Sequence, residues 1–309
     1  MHVHKRCRNP VMSAQNVHIE NEGFVSLRHD TTLLDECLRA GIPMVHACGA
    51  KARCSTCRVV LLHGELPPRN ELEQKLAEKL NWSDDIRLSC QLRAEHAGRV
   101  TVRRVVKDQL DRELLHQSNS ARERNVAILF SDIRSFTSFS ERHLPHDIVH
   151  ILNRYFVEMG DAIHQSRGRI DKYMGDGIMA IFGLDGDGHP AKLAYDAARD
   201  MLSRLQGFNK YLEATYREHF EIGIGIHYGS VVVGDIGHPK SASFTAIGDA
   251  VNIAARIESA TKGVAPLLVS ESVRDAIGGT GWPSIEMHLK GKSKPMVLHI
   301  PPPVDASSG

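Results

Sequence analysis

Three groups of side chains in this 309-residue chain have types and spacings suited to chemistry. The first is a cysteine series, Cys48, Cys54 and Cys57, spaced C-x5-C-x2-C, with Cys90 further along. Four thiolates can hold one tetrahedral zinc ion or a 2Fe–2S cluster. Zinc sites usually draw on two paired short spacings, and here only one short C-x2-C exists. A 2Fe–2S cluster takes several thiolates from one wrapping loop and one from afar, and this spacing matches that demand. Small residues in the loop (Gly49, Ala50, Ala52, Ser55) let backbone N–H groups approach the sulfurs. Cys37 falls on the apolar face of an expected helix and reads as a small buried hydrophobe, and Cys7 lies in a tail.

The second group is Asp132 and Asp176. One carboxylate at a strand end and one on a Gly-flanked turn can meet on adjacent strands. With a backbone carbonyl they would form an oxygen-ligand site for Mg²⁺ or Mn²⁺. Each alone has a simpler reading, Asp132 as a helix cap and Asp176 as a turn residue. The third group is Asn252 and Arg256, four apart and so on one helix face, a spacing that equally suits a solvated surface.

The elements that must position these groups follow from periodicity. In the first third, residues 24–27 read as a strand. Residues 31–40 read as a helix, with Leu33, Leu34, Cys37 and Leu38 at helical spacing, Asp30 as N-cap and Gly41 as stop. After the cysteine loop come a strand at 58–62, a helix at 71–80 and a strand at 100–106. Residues 108–124 are polar and are expected to connect two domains, residues 16–107 and 125–300, with a short helix suggested by Val106, Leu110 and Leu114. Beyond them, strands at 126–131, 178–182 and 220–228 alternate with helices at 147–166, 191–216 and 248–260. A helix is expected to begin at 134–137, where free N–H groups could hold phosphate. A Gly-punctuated hairpin is expected at 230–237, and closing strands at 267–269, 285–289 and 296–300. The fold class is therefore α+β with antiparallel pairing, rather than a doubly wound sheet.

Composition narrows the function classes. Hydrophobic content of 42% and charged content of 24% are those of a globular protein. The net charge of +1 hides an asymmetry: residues 1–107 hold 17 Lys+Arg against 12 Asp+Glu, and the remainder is acidic. That basic half has no Lys/Arg cluster interleaved with aromatics, so nucleic acid is not an expected partner. No apolar run is long enough to span a bilayer and no secretory signal is visible, which makes cytoplasmic the default location.

With these motifs in view, residues 16–107 resemble a β-grasp 2Fe–2S ferredoxin of the adrenodoxin-like branch, whose loop is one residue longer than the plant spacing. The resemblance implies Cys48, Cys54, Cys57 and Cys90 as cluster ligands. The basic balance and the attachment to a second domain suggest a redox-sensing module, with electron delivery as the alternative.

Residues 124–300 resemble the class III nucleotidyl cyclases. The likeness is carried by the strings around Phe130–Thr137, Lys172–Gly177, Gly248–Arg256 and Leu289–Lys292, all in family order. It implies a ferredoxin-like βαββαβ catalytic fold and two Mg²⁺ or Mn²⁺ ions on Asp132, Asp176 and the Ile133 carbonyl. In that likeness Phe136 and Thr137 are among the substrate-binding residues. Asn252 orients the ribose, Arg256 neutralises charge on the α-phosphate, and Lys292 holds the β/γ-phosphates, with Lys290 a weaker candidate. The family builds its site across a head-to-tail homodimer, so a lone subunit should be inactive. Lys172 and Thr245 occupy the base-choosing positions. A Lys ammonium can donate to adenine N1 and a Thr hydroxyl can accept from the 6-amino group, whereas guanine presents a donor at N1. The Lys–Thr pair resembles the bacterial and bicarbonate-responsive subgroup, which uses ATP. The expectation is an adenylate cyclase governed by its iron–sulfur domain. Its alternatives are a guanylate cyclase, or an electron carrier dimerised through its C-terminal half.

Overall fold

The computed structural model describes residues 15–93, 98–105, 121–238, 240–288 and 295–303. The chain divides into two units, one taking in residues up to Arg122 together with Asp235–Ala242, the other Glu123–Gly234 and the residues from Ser243.

In the first unit, alternating burial along β1 (Gln15–Ile19) and β2 (Gly23–Leu27) marks an antiparallel pair with one face inward. α1 (Leu33–Arg39) starts at Thr32, whose hydroxyl accepts from the Asp35 N–H while Asp35 accepts from the Thr32 N–H. This capping box displaces Asp30 from its expected role as N-cap. β3 (Arg58–His63), α2 (Glu71–Leu80), β4 (Ile86–Leu88) and β5 (Arg99–Arg104) complete the unit. The sheet order is β2-β1-β5-β3-β4, with β1 and β5 parallel and the other described pairs antiparallel: a β-grasp. Val17, Ile19, Leu27, Leu33, Val59, Leu88 and Val102 are fully buried in its core. Glu73 of α2, itself buried, takes a two-pronged ion pair from Arg87 and the Leu88 N–H, fastening α2 onto β4.

The second unit opens on β6 (Arg122–Ile133), which starts inside the segment expected to be a connector. α3 (Phe136–Arg142), α4 (Pro145–Gln165), β7 (Gly168–Met174), β8 (Gly177–Phe182), α5 (Pro190–Tyr216) and β9 (Ile222–Ile236) follow. β10 (Ser243–Ile247), α6 (Asp249–Ala260), β11 (Leu267–Ser270), α7 (Glu271–Ala276), β12 (Ser284–Met287) and β13 (Met296–His299) close the chain. The sheet runs β12-β13-β11-β9-β6-β8-β7, with β10 paired to β9. Its β9-β6-β8-β7 portion, with α4 and α5 between its strands, is the βαββαβ arrangement. Alternate residues of β6 and β8 serve two cores. Ala127, Leu129, Ile178 and Ala180 pack with α4 and α5, while Val126, Ile128, Met179 and Ile181 pack with β10 and α6. Each fully buried Ile or Leu here contributes roughly 1.5–3 kcal/mol.

The hairpin expected at 230–237 is absent: β9 is one continuous strand of 15 residues. Its glycines have the look of turn signals, but Gly229 serves close approach. A Cβ there would stand 3.2 Å from that of Ala250, at the start of α6. The chain turns at Gly237, where φ is +129°. The strand expected at 285–289 is Ser284–Met287. The helix suggested by Val106, Leu110 and Leu114 lies outside the described residues, as do Cys7, Leu289, Lys290 and Lys292.

Candidate active site and cysteine loop

β6 runs without a break to Ile133, and the β7–β8 turn carries Asp176 beside it. The antiparallel register pairs Ser131 with Ile178, which brings the Asp132 carboxyl to the turn. The two carboxyls are hydrogen-bonded to each other, and Asp176 Oδ2 accepts from the Ile133 N–H at 3.2 Å. Gly177 leaves room for this: a Cβ there would meet Asp132 Oδ1 at 3.2 Å. Burial first, then the charges of Asp176 and Glu258, push the Asp132 pKa up to about 6, against a smaller lowering by Arg134. Two acidic groups forced together in a half-buried place, with the Ile133 carbonyl adjacent, offer oxygen donors of the kind a hard divalent cation takes.

Arg134 ties this loop to the rest of the unit. Its guanidinium pairs with Glu258 at 3.0 Å, donates to the Glu258 carbonyl at 3.3 Å, and reaches the Thr261 hydroxyl at the end of α6. Gly223 of β9 admits it, since a Cβ at that position would occupy the space of the guanidinium. α3 begins at Phe136, with Ser135 as an N-cap in left-handed backbone that makes no side-chain cap bond. Phe136 is half-buried and Thr137 exposed.

Lys172 and Thr245 meet at a third residue that no sequence motif singles out. The Thr245 hydroxyl donates to Asp171 Oδ2 at 2.9 Å, and Lys172 Nζ lies 3.1 Å from the same oxygen. The Asp171 side chain is 1% exposed. A register shift between Ile170 and Lys172 makes Asp171 the extra residue of a β-bulge, and such bulges re-aim side chains. The one clue in the sequence is a charged Asp within an otherwise strand-like segment.

Asn252 is exposed and Arg256 half-buried on α6, whose opposite face is seated by Ala250, Ile253, Ala254 and Ile257. Neither side chain has a hydrogen bond or ion pair among the described residues. A cleft of about 840 Å³ opens beside Asp132 and Arg134, but Lys172, Thr245, Asn252 and Arg256 do not line it. The single chain thus brings together the two acids, and separately the Lys172–Asp171–Thr245 trio, with Asn252 and Arg256 bonded to neither group.

In the first unit the thiols approach in twos. β3–β4 pairing sets Arg58 against Leu88, and the Ser89 N–H donates to the Cys57 carbonyl at 3.1 Å, which draws Cys57 and Cys90 together. α1 docks its N-terminal N–H groups on the same segment, Leu34 on Ser89 and Leu33 on Leu92. The Cys57–Cys90 hydrogen bond lowers the Cys90 thiol to about 6, against desolvation, and the same bond with burial raises Cys57. Cys48 is hydrogen-bonded to Cys54 and to the backbone of Arg53 and Lys51; burial opposes its ionisation, and these bonds outweigh it, so its pKa is lowered. Gly49, Ala50 and Ala52 all have positive φ, so the loop curls its N–H groups towards sulfur. Among the described residues no three His, Cys, Asp or Glu side chains close on one ion. Two thiol pairs around a loop rich in N–H donors fit a two-iron cluster better than a single zinc. Cys37 is fully buried and its thiol is pushed up to about 12 by desolvation, as befits a packing residue.

Comparison with known proteins agrees with both halves. Residues 118–300 match the family model "Adenylate and Guanylate cyclase catalytic domain". The chain belongs to this family. Residues 17–95 of the cyclase match the model "2Fe-2S iron-sulfur cluster binding domain". An adenylate cyclase of Anabaena cylindrica is 43% identical over 159 residues, which is 50% of this chain and 31% of that protein. Adenylate cyclase 1 of Rhizobium meliloti (strain 1021) is 33% identical over 144 residues, 46% of this chain and 22% of that protein. The chain thus spans less than a third of the length of these relatives. Among solved structures, the guanylyl cyclase Cya2 matches with a TM-score of 0.54 and 34% identity, over 58% of this chain and 92% of that one. A bacterial light-regulated adenylyl cyclase matches with a TM-score of 0.50 and 28% identity, over 58% and 90%. No helix among the described residues is long and apolar enough to cross a membrane.

Proposed function

We propose that this cyclase converts ATP to 3′,5′-cyclic AMP and pyrophosphate at a site completed by a second copy of the chain, under the influence of a 2Fe–2S cluster held by Cys48, Cys54, Cys57 and Cys90. The meeting of Asp132 and Asp176 beside the Ile133 carbonyl carries the reading. These three groups would hold two Mg²⁺ or Mn²⁺ ions. Bound there, the ions would acidify the ribose 3′-hydroxyl and neutralise the triphosphate.

The chain's own groups do the rest. Phe136 and Thr137 border the phosphates. The partner copy reads the base: its Lys172 position donates to adenine N1 and its Thr245 position accepts from the 6-amino group. From the partner copy, the Asn252 position orients the ribose and the Arg256 position meets charge on the α-phosphate as pyrophosphate departs. Lys292 takes the β/γ-phosphates. The side chains of Asn252 and Arg256, unbonded among the described residues, support this division, as does the absence of Lys172 and Thr245 from the walls of the 840 Å³ cleft. Exposed apolar Tyr173, Met174 and Ile247, on the strands bearing Lys172 and Thr245, and Val232 on β9, to which β10 pairs, give a second copy something to cover.

One assay tests the reading: anaerobically purified protein, given ATP or GTP at equal concentration with Mg²⁺ or Mn²⁺, before and after dithionite. Faster cyclic AMP formation is expected, lost in Asp132→Ala and altered by reduction. Faster cyclic GMP formation would refute the ATP reading. Equal rates for oxidised, reduced and apo protein would remove the regulatory role and leave the enzyme.

A further inference from the structure

The base-reading hydroxyl has an ambiguity that its residue type alone does not resolve. A Thr hydroxyl has one hydrogen and two lone pairs, so it can accept from the amino group of adenine or donate to O6 of guanine. In this chain the hydrogen is already committed. Thr245 Oγ1 donates to Asp171 Oδ2 at 2.9 Å, and a carboxylate has nothing to donate in return. Lys172 sits on the same oxygen at 3.1 Å. The β-bulge that makes Asp171 an unpaired residue of the ladder puts it there. With Thr245 8% exposed and the Asp171 side chain 1% exposed, water competes little for this bond. The second oxygen, Asp171 Oδ1, is buried without a partner among the described residues.

We propose that Asp171 is the positioning residue that sets purine choice: by taking the Thr245 hydrogen and anchoring Lys172, it makes the site present an acceptor at the 6-position and a donor at N1, the complement of a 6-aminopurine nucleoside triphosphate. This rests on the ATP reading above and adds the residue that enforces it. Asp171 touches no substrate atom and acts through Thr245 and Lys172. A 6-oxo purine meets oxygen lone pairs facing its own, and a site built to pair a polar group rejects the analogue that mispairs it.

The test is Asp171→Asn, nearly the same shape, whose carboxamide can donate to Thr245 and release the hydroxyl hydrogen towards a ligand. The reading is the ratio of kcat/KM for ATP over GTP, beside thermal melting. The ratio is expected to narrow by about 10-fold, the worth of one hydrogen bond re-aimed. In a Thr245→Val background, Asp171→Asn is expected to move the ratio less than it does in the parent, because only the anchor on Lys172 is left for it to act through. Equal loss with both nucleotides would make Asp171 a structural support and overturn the proposal. Should the variant fail to fold, the unmodified enzyme still decides: purine riboside triphosphate, which lacks the 6-amino group, is expected to have kcat/KM about 10-fold below ATP, and parity would overturn it. A wild type that prefers GTP refutes the ATP reading itself. A wild type that prefers ATP, with an unmoved ratio in Asp171→Asn, refutes the role of Asp171 alone.

Discussion

At the scale of single residues, the proximity of the two acids has a cost that can be measured. Burial and the neighbouring charges of Asp176 and Glu258 raise the Asp132 pKa from its ordinary value of 3.8 to about 6. The folded, metal-free protein therefore holds a proton that the unfolded chain releases between about pH 4 and pH 6. The contribution of Asp132 to stability is accordingly fully present below the unfolded pKa and is lost as pH rises through about 6. In chelator at pH 7.5, Asp132→Asn is expected to raise Tm by about 2–4 °C, the equivalent of roughly 1 kcal/mol once solvent screening at a half-exposed group is allowed for. At pH 4 the variant and the parent are expected to melt together. Thermal melts across this pH range in EDTA check it, and a Tm gain independent of pH would show that the carboxylate charge is not its cause.

At the scale of elements, the glycines of β9 determine how closely α6 can lie on the sheet. A Cβ on Gly225 would stand 2.1 Å from the Glu258 N and 2.8 Å from the Ala254 carbonyl, both backbone atoms of α6. Gly225→Ala must push away the helix that carries Asn252 and Arg256, at a cost of about 1–3 kcal/mol for overpacking, and with most of the cyclase rate. Gly207, within α5, faces open space: a Cβ there would meet nothing within 4 Å, so Gly207→Ala is expected to stabilise by about 0.5–1 kcal/mol and leave the rate alone. Melting and turnover of the two variants check the contrast. The same strand shows what the sequence can convey. β8 is legible because residues 178–182 are continuously apolar, and a strand buried on both faces must be. β9 reads as a strand and a hairpin because Gly229 and Gly234 punctuate it, and a glycine that admits a helix looks in sequence like one that makes a turn. Asp132 and Asp176 are legible as a candidate pair from motif and spacing. Asp171 is not, because its role depends on a bulge in the β7–β8 register, which no local pattern encodes. The pairing of Cys57 with Cys90 is hidden for a similar reason, since the β3–β4 register sets it.

At the scale of the whole molecule, the question is how many chains make a site. Lys172 and Asp176 are four residues apart on one hairpin. Under the proposed arrangement they still serve opposite sites, Lys172 joining Asn252 and Arg256 of its own chain and Asp176 joining Asp132. Each site then needs Asp132 from one copy and the Arg256 position from the other, so a dimer with one defect on each chain behaves in a calculable way. Asp132→Ala homodimers and Arg256→Ala homodimers each have two broken sites. In a mixed dimer both defects fall in one site and the other is whole. With equal amounts and free exchange, half of the dimers are mixed and half of their sites intact, so recovery to about a quarter of the parental rate is expected from two inactive preparations. Recovery should appear on mixing and should grow with protein concentration as exchange and dimerisation proceed. If each chain instead carried a complete site, every chain in the mixture would hold one lesion and no activity would return at any concentration, which would refute the shared site while leaving the Asp132–Asp176 pair where the fold puts it.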